Sequence, residues 1–64
     1  MIINNVRMES NAGWYLGAIE ATDDCPQPYD RLSMYYPNED WVKQEFPNSI
    51  SLQEAFDRVK RRFG

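Results

Sequence analysis

Apolar and polar residues alternate along 2–9. Ile2, Val6 and Met8 fall on one side with Asn4 among them, and Ile3, Asn5, Arg7 and Glu9 fall on the other. A period of two predicts a half-buried strand. Residues 10–13 have the composition of a hairpin loop, and Gly13 takes a positive φ without steric cost. The alternation resumes over 14–22. Trp14, Leu16 and Ala18 share one side, and Tyr15, Gly17, Ile19 and Ala21 share the other. Aromatic and β-branched side chains favour a strand here, and Gly17 points to a bulge or a close backbone approach. Residues 23–28 hold two prolines and two aspartates, which predicts a loop. A third strand is expected over 29–36. Leu32, Met34 and Tyr36 lie on one side of it, after Asp30, and Tyr29, Arg31, Ser33 and Tyr35 lie on the other.

The period then changes. Pro37 and Asn38 break the strand, and Asn38 is placed to cap a short helix over 39–46. Glu39 and Asp40 suit its first turn, Trp41, Val42 and Phe46 form its apolar stripe, and Pro47 ends it. Ser51 and Glu54 form a capping box for a last helix. Leu52, Ala55, Phe56, Val59 and Phe63 give it one amphipathic face. Lys60, Arg61 and Arg62 sit in its last turn, where cations match the helix dipole.

The order is β-β-β-α-α, an α+β domain spanning residues 1–64. Short connections predict a three-stranded antiparallel meander with both helices packed on one sheet face. The expected core is Ile2, Val6, Met8, Trp14, Leu16, Ala18, Leu32, Met34, Trp41, Val42, Phe46, Leu52, Phe56, Val59 and Phe63. That leaves the opposite face uncovered, with Ile3, Tyr15, Ile19, Ala21, Tyr29 and Tyr35 on it beside Arg31. An apolar patch with a polar rim marks an interface, so this face is expected to bind another protein or a second copy of the chain.

Composition narrows the chemistry. A chain of 64 residues has a marginal core and no room for a large ligand cavity. Association stabilises such a fold by mass action, and a homodimer is one expected outcome. No apolar run reaches membrane-spanning length and no signal peptide is expected, which together predict a cytoplasmic protein. The sequence has no histidine, so Ser-His and Cys-His catalytic pairs are ruled out. Cys25 is the only thiol, and the carboxylates of Asp23 and Asp24 disfavour its thiolate. The three glycines are scattered and form no phosphate loop. No catalytic residue, cofactor or metal site is expected, and the chain reads as a non-enzyme.

Charge is unevenly spread. Residues 1–50 carry three basic and eight acidic groups, net −5, whereas 51–64 carry four basic and two acidic, net +2. Arg58, Arg61 and Arg62 form one ridge on the last helix, the basis of an alternative reading as a nucleic-acid binder. A pI near 4.7 weighs against it. The opposite sign has its own use. An acidic surface can occupy the basic groove of a nucleic-acid enzyme, as small acidic phage and mobile-element accessory proteins do.

The sequence therefore predicts a small regulator or inhibitor that binds a partner protein. Tyr15, Ile19, Tyr29, Arg31 and Tyr35 are its expected anchors. Asp23, Asp24, Glu39 and Asp40 are its expected acidic rim. A purely structural homo-oligomer is the remaining alternative.

Overall fold

The computed structural model describes residues 1–23 and 25–64. The two N-terminal alternating segments pair as an antiparallel hairpin, β1 (Ile2–Ser10) with β2 (Gly13–Thr22). Strand β3 (Cys25–Arg31) adds to the far side of β2, giving the sheet order β1-β2-β3. Two helices follow, α1 (Glu39–Glu45) and α2 (Leu52–Phe63), so the fold is α+β in the order β-β-β-α-α. The side chain of Asn38 accepts from the Trp41 N–H, and that of Ser51 from the Glu54 N–H, so both helices start on the caps the sequence supplies. Among the described residues no helix is long and apolar enough to cross a membrane.

A bulge reassigns the sides of β1. Ile3 pairs with Ile19 but Val6 pairs with Gly17, so Asn4 and Asn5 together face Ala18. Asn5 has φ 61°, a left-handed conformation that asparagine tolerates better than most residues. One extra residue flips every side chain that precedes it. Ile3 thereby joins Val6 and Met8 in the interior, and Ile2, expected in the core, is turned to solvent.

Strand β3 starts earlier than its prolines suggest. The Ala21 N–H donates to the Met1 carbonyl, so the polar backbone groups of Ala21 face β1, as do those of Ile19 two residues before. Pro26 pairs with Ala21 and Pro28 with Ile19. Both ring nitrogens therefore point away from β2, where a missing N–H breaks no ladder bond. Proline is tolerated in an edge strand for this reason.

The helices cover opposite faces, which corrects the expectation that both pack on one. Ala55 and Val59 of α2 are buried with Ile3, Val6, Met8, Ile19 and Ala21. The face expected to be open is thus the main core. Arg7 lies between Val6 and Met8 in β1 and points the other way, to Glu39 of α1 at 3.1 Å. Val42 of α1 is buried on that second side, with Leu16 and Ala18 of β2 beneath it. The chain changes sides around the free edge of β1. There the Arg7 N–H donates to the Ile50 carbonyl and the Ile50 N–H to the Asn5 carbonyl, each at 2.9 Å. Both layers are spent on β1 and β2, so Leu32, Met34, Trp41 and Phe63, all expected inside, are exposed, and Leu52 lies at the margin.

Candidate functional site

After Arg31 the chain leaves regular structure but not the sheet. The Leu32 N–H donates to the Leu16 carbonyl at 2.8 Å, and the Leu16 N–H donates back to Ser33 Oγ at 2.8 Å. The Ser33 hydroxyl donates in turn to the Met34 carbonyl, and Arg31 Nη1 donates to the Ser33 carbonyl at 3.0 Å. Trp14 and Tyr36 exchange backbone hydrogen bonds and close the segment. Residues 31–36 are therefore tethered at both ends and in the middle. Most of the side chains they hold outward are large and apolar or aromatic: Met34 is 66% exposed, and Leu32 and Tyr35 are exposed beside it in sequence, as is Arg31.

Tyr35 is turned to the Tyr15 side of the sheet. Its ring meets Tyr15 in a T-shaped pair with centroids 5.6 Å apart, and the Arg31 guanidinium lies 4.8 Å from its centroid. Both contacts are of the favourable kind for aromatic rings. Two glycines make room. At Gly13, which has φ 131°, a Cβ would stand 2.7 Å from the Tyr36 carbonyl oxygen. At Gly17 it would stand 2.8 Å from Tyr15 Cε2.

The structure brings Tyr15, Arg31 and Tyr35 together and, among the described residues, separates the other expected anchors and acids from them. Tyr29 is the extra residue of a second bulge, between the pairs Ile19–Pro28 and Ala18–Asp30, and it is exposed. Ile19 is 1% exposed beneath α2 and cannot anchor a partner, because the face it occupies is the core. Asp23 lies at the other end of β2 from Tyr15, about 26 Å away at about 3.3 Å per strand residue. Asp24 lies outside the described residues. Glu39 accepts from Arg7 Nε on the opposite sheet face, and Arg7 Nη1 also donates to the carbonyl and hydroxyl oxygens of Ser49 at 2.8 Å. Asp40 is exposed on the same helix as Glu39. Of the expected acidic rim, Asp23, Glu39 and Asp40 are therefore not gathered around the tyrosines: strand pairing and the opposite placement of α1 keep these three apart from them.

On α2, Arg58 donates to Glu54 at 3.0 Å in an exposed pair one turn apart, and Arg61 and Arg62 are exposed in the last turn. Cys25 is exposed and unpaired with another cysteine. Among the described residues no group of three or more His, Cys, Asp or Glu is placed to hold a metal ion. An apolar groove of about 210 Å³ runs between β3 and α2, and a wider hollow of about 410 Å³ surrounds the Arg7–Glu39 pair.

Sequence reasoning assigned Leu32 and Met34 to the interior and saw no role for Ser33. The alternation over 29–36 fits either side of a strand equally well, and only pairing partners decide between them. Comparison of the chain with protein-family models, with characterised proteins and with solved structures gives no match.

Proposed function

We propose that this chain is a non-catalytic protein-binding module that regulates or inhibits a partner by occupying one of its surfaces. The observation that carries this reading is the tethered display of Leu32, Met34 and Tyr35. An irregular segment ordinarily carries polar side chains. This one holds apolar ones in water and spends backbone hydrogen bonds on keeping them in place. Preorganisation of that kind lowers the ordering cost of association. Residue type agrees, since Tyr, Met and Arg are enriched where interfaces hold their energy. The distribution of aromatic rings agrees as well. None of the nine aromatic residues is buried, and the interior is aliphatic. The net charge of −3 favours a partner whose surface is basic, such as the groove of a nucleic-acid enzyme.

The test is affinity capture from lysate of the source cells, with and without nuclease, using tagged wild type, the variant Met34→Asp and, as a control at an exposed position of α1, Gln44→Ala. Circular dichroism first establishes that all three are folded. The expected result is a protein retained by wild type and Gln44→Ala, unaffected by nuclease, and lost with Met34→Asp. Capture that survives Met34→Asp, or that disappears with nuclease, overturns the reading.

A further inference from the structure

We propose a second binding site, in the groove between β3 and α2, that takes an extended segment of a partner protein carrying an apolar side chain next to an arginine or lysine. It uses different residues from the 32–35 surface and does not rest on that reading.

The groove has the dimensions of one side chain. Pro26 and Pro28 form one wall, Leu52 and Phe56 the other, and Met8 and Ile19 line it between them, enclosing about 210 Å³. An apolar cavity of about 150 Å³ holds benzene, so a branched or aromatic side chain fits. Among the described lining residues the one charged residue is Glu9, whose side chain alternates with Met8 and lies on the Arg7 side of the sheet, so the groove itself is apolar.

The preference for a cation comes from the backbone of the β3 edge. Pro26 and Pro28 turn their backbone groups away from β2, as their pairing with Ala21 and Ile19 requires. An ordinary edge strand offers alternating donors and acceptors to the next strand. This one offers two carbonyl oxygens about 7 Å apart, at about 3.3 Å per residue, and no N–H between them. A partner strand would leave its own carbonyls unanswered there. Arginine and lysine side chains carry donors and no acceptor, so they match an edge that only accepts. Hydrogen bonds from a charged donor are also the stronger kind.

The experiment is an NMR titration of the labelled full chain with three capped peptides: acetyl-Gly-Arg-Leu-Arg-Gly-amide, its Glu-Leu-Glu counterpart, and its Arg-Gly-Arg counterpart. The first is expected to give saturable shifts at the Met8 and Ile19 side chains and the Gln27 amide. The other two are expected to bind about tenfold more weakly, equivalent to losing one charge-assisted hydrogen bond or one buried side chain. Leu52→Glu, at the exposed rim of the groove, should abolish the shifts, and Met34→Asp should leave binding unchanged. Equal binding of all three peptides, or no saturable shift at Met8 and Ile19, overturns the site. Shifts confined to residues 32–35 also overturn it while leaving the protein-binding reading intact.

Discussion

Replacing Gly17 with alanine sets two opposing effects against each other, and the structure decides which wins. Gly17 does not have a positive φ, so its backbone accepts alanine without strain. On that ground alone alanine would stabilise the fold by about 0.4–1 kcal/mol, through the smaller entropy of the unfolded chain. Space argues the other way. The added Cβ would stand 2.8 Å from Tyr15 Cε2, 2.9 Å from Met8 Sδ and 2.9 Å from the Asp30 carbonyl oxygen. The first two atoms belong to side chains that can turn about their χ angles. The third is backbone of the neighbouring strand, and moving it disturbs β2–β3 pairing. Overpacking of this kind costs about 1–3 kcal/mol. The net expectation is a loss of about 1–2 kcal/mol, after subtracting the entropic gain. With a urea slope near 1 kcal/mol/M, as befits a small domain, the midpoint falls by about 1–2 M. The Tyr15 ring must also shift, so its contact with Tyr35 in a nuclear Overhauser spectrum should weaken. A midpoint that stays or rises would refute the reasoning, because it would mean that the strands separate freely at this point.

Other substitutions probe the remaining supports. Ser33→Ala leaves the Leu16 N–H without its partner; a loss of about 1–3 kcal/mol in chemical denaturation is expected, with faster hydrogen exchange at Leu16, and unchanged exchange would contradict the tether. Val42→Ala opens a void in a fully buried site on the α1 side and should cost about 2 kcal/mol in the same assay; a negligible loss would show that α1 is not packed there. Glu39→Gln, on a half-exposed carboxylate, should cost less than about 1 kcal/mol, whereas Arg7→Ala, which removes the donors to both Glu39 and Ser49, should cost more. Pro26→Thr with Pro28→Thr restores two outward N–H groups on β3; concentration-dependent association beyond that of wild type is expected in sedimentation velocity, and its absence would show that the prolines do not guard the edge.

What was legible in the sequence was whatever a single residue or a local period decides. The helix starts at Asn38 and Ser51 rest on side chains that bond a backbone amide within one turn. The order of elements follows from where the period changes. What was not legible depends on pairing between segments. Asn4 and Asn5 both fit an exposed position in a regular strand, yet their pairing opposite Ala18 alone puts Ile3 where Ile2 was expected. Pro26 and Pro28 are breakers in any strand with two neighbours and harmless in one with a single neighbour. The side taken by α1 was decided by the route of 46–51 around the β1 edge, a choice that neither helix encodes. The candidate site follows the same division. The tyrosine and arginine residues were identifiable by type. The grouping of Tyr15, Arg31 and Tyr35, apart from Ile19 and the acids, came from the bulges and the two-sided core.

Exposed apolar side chains need no special cause in a chain of 64 residues, since a small fold has more surface than its polar residues can cover. Scarcity of layers accounts for much of what is exposed here. Both helices are committed to β1 and β2, and three of the ten buried apolar residues are alanines. Scarcity alone, however, leads to a different outcome at residues 31–36. A segment that merely lacks cover stays loose, because ordering a residue costs about 1–2 kcal/mol of backbone entropy. Here residues 31–36 are ordered through bonds at Ser33, Leu16, Trp14 and Arg31 without gaining burial for Leu32 or Met34. The ordering seats Tyr36 against Phe46 and Tyr35 against Tyr15, and in doing so it also fixes the exposed Leu32 and Met34. That separates the 32–35 surface from the isolated exposure of Ile2 or Phe63, and makes it the first place to look for a partner.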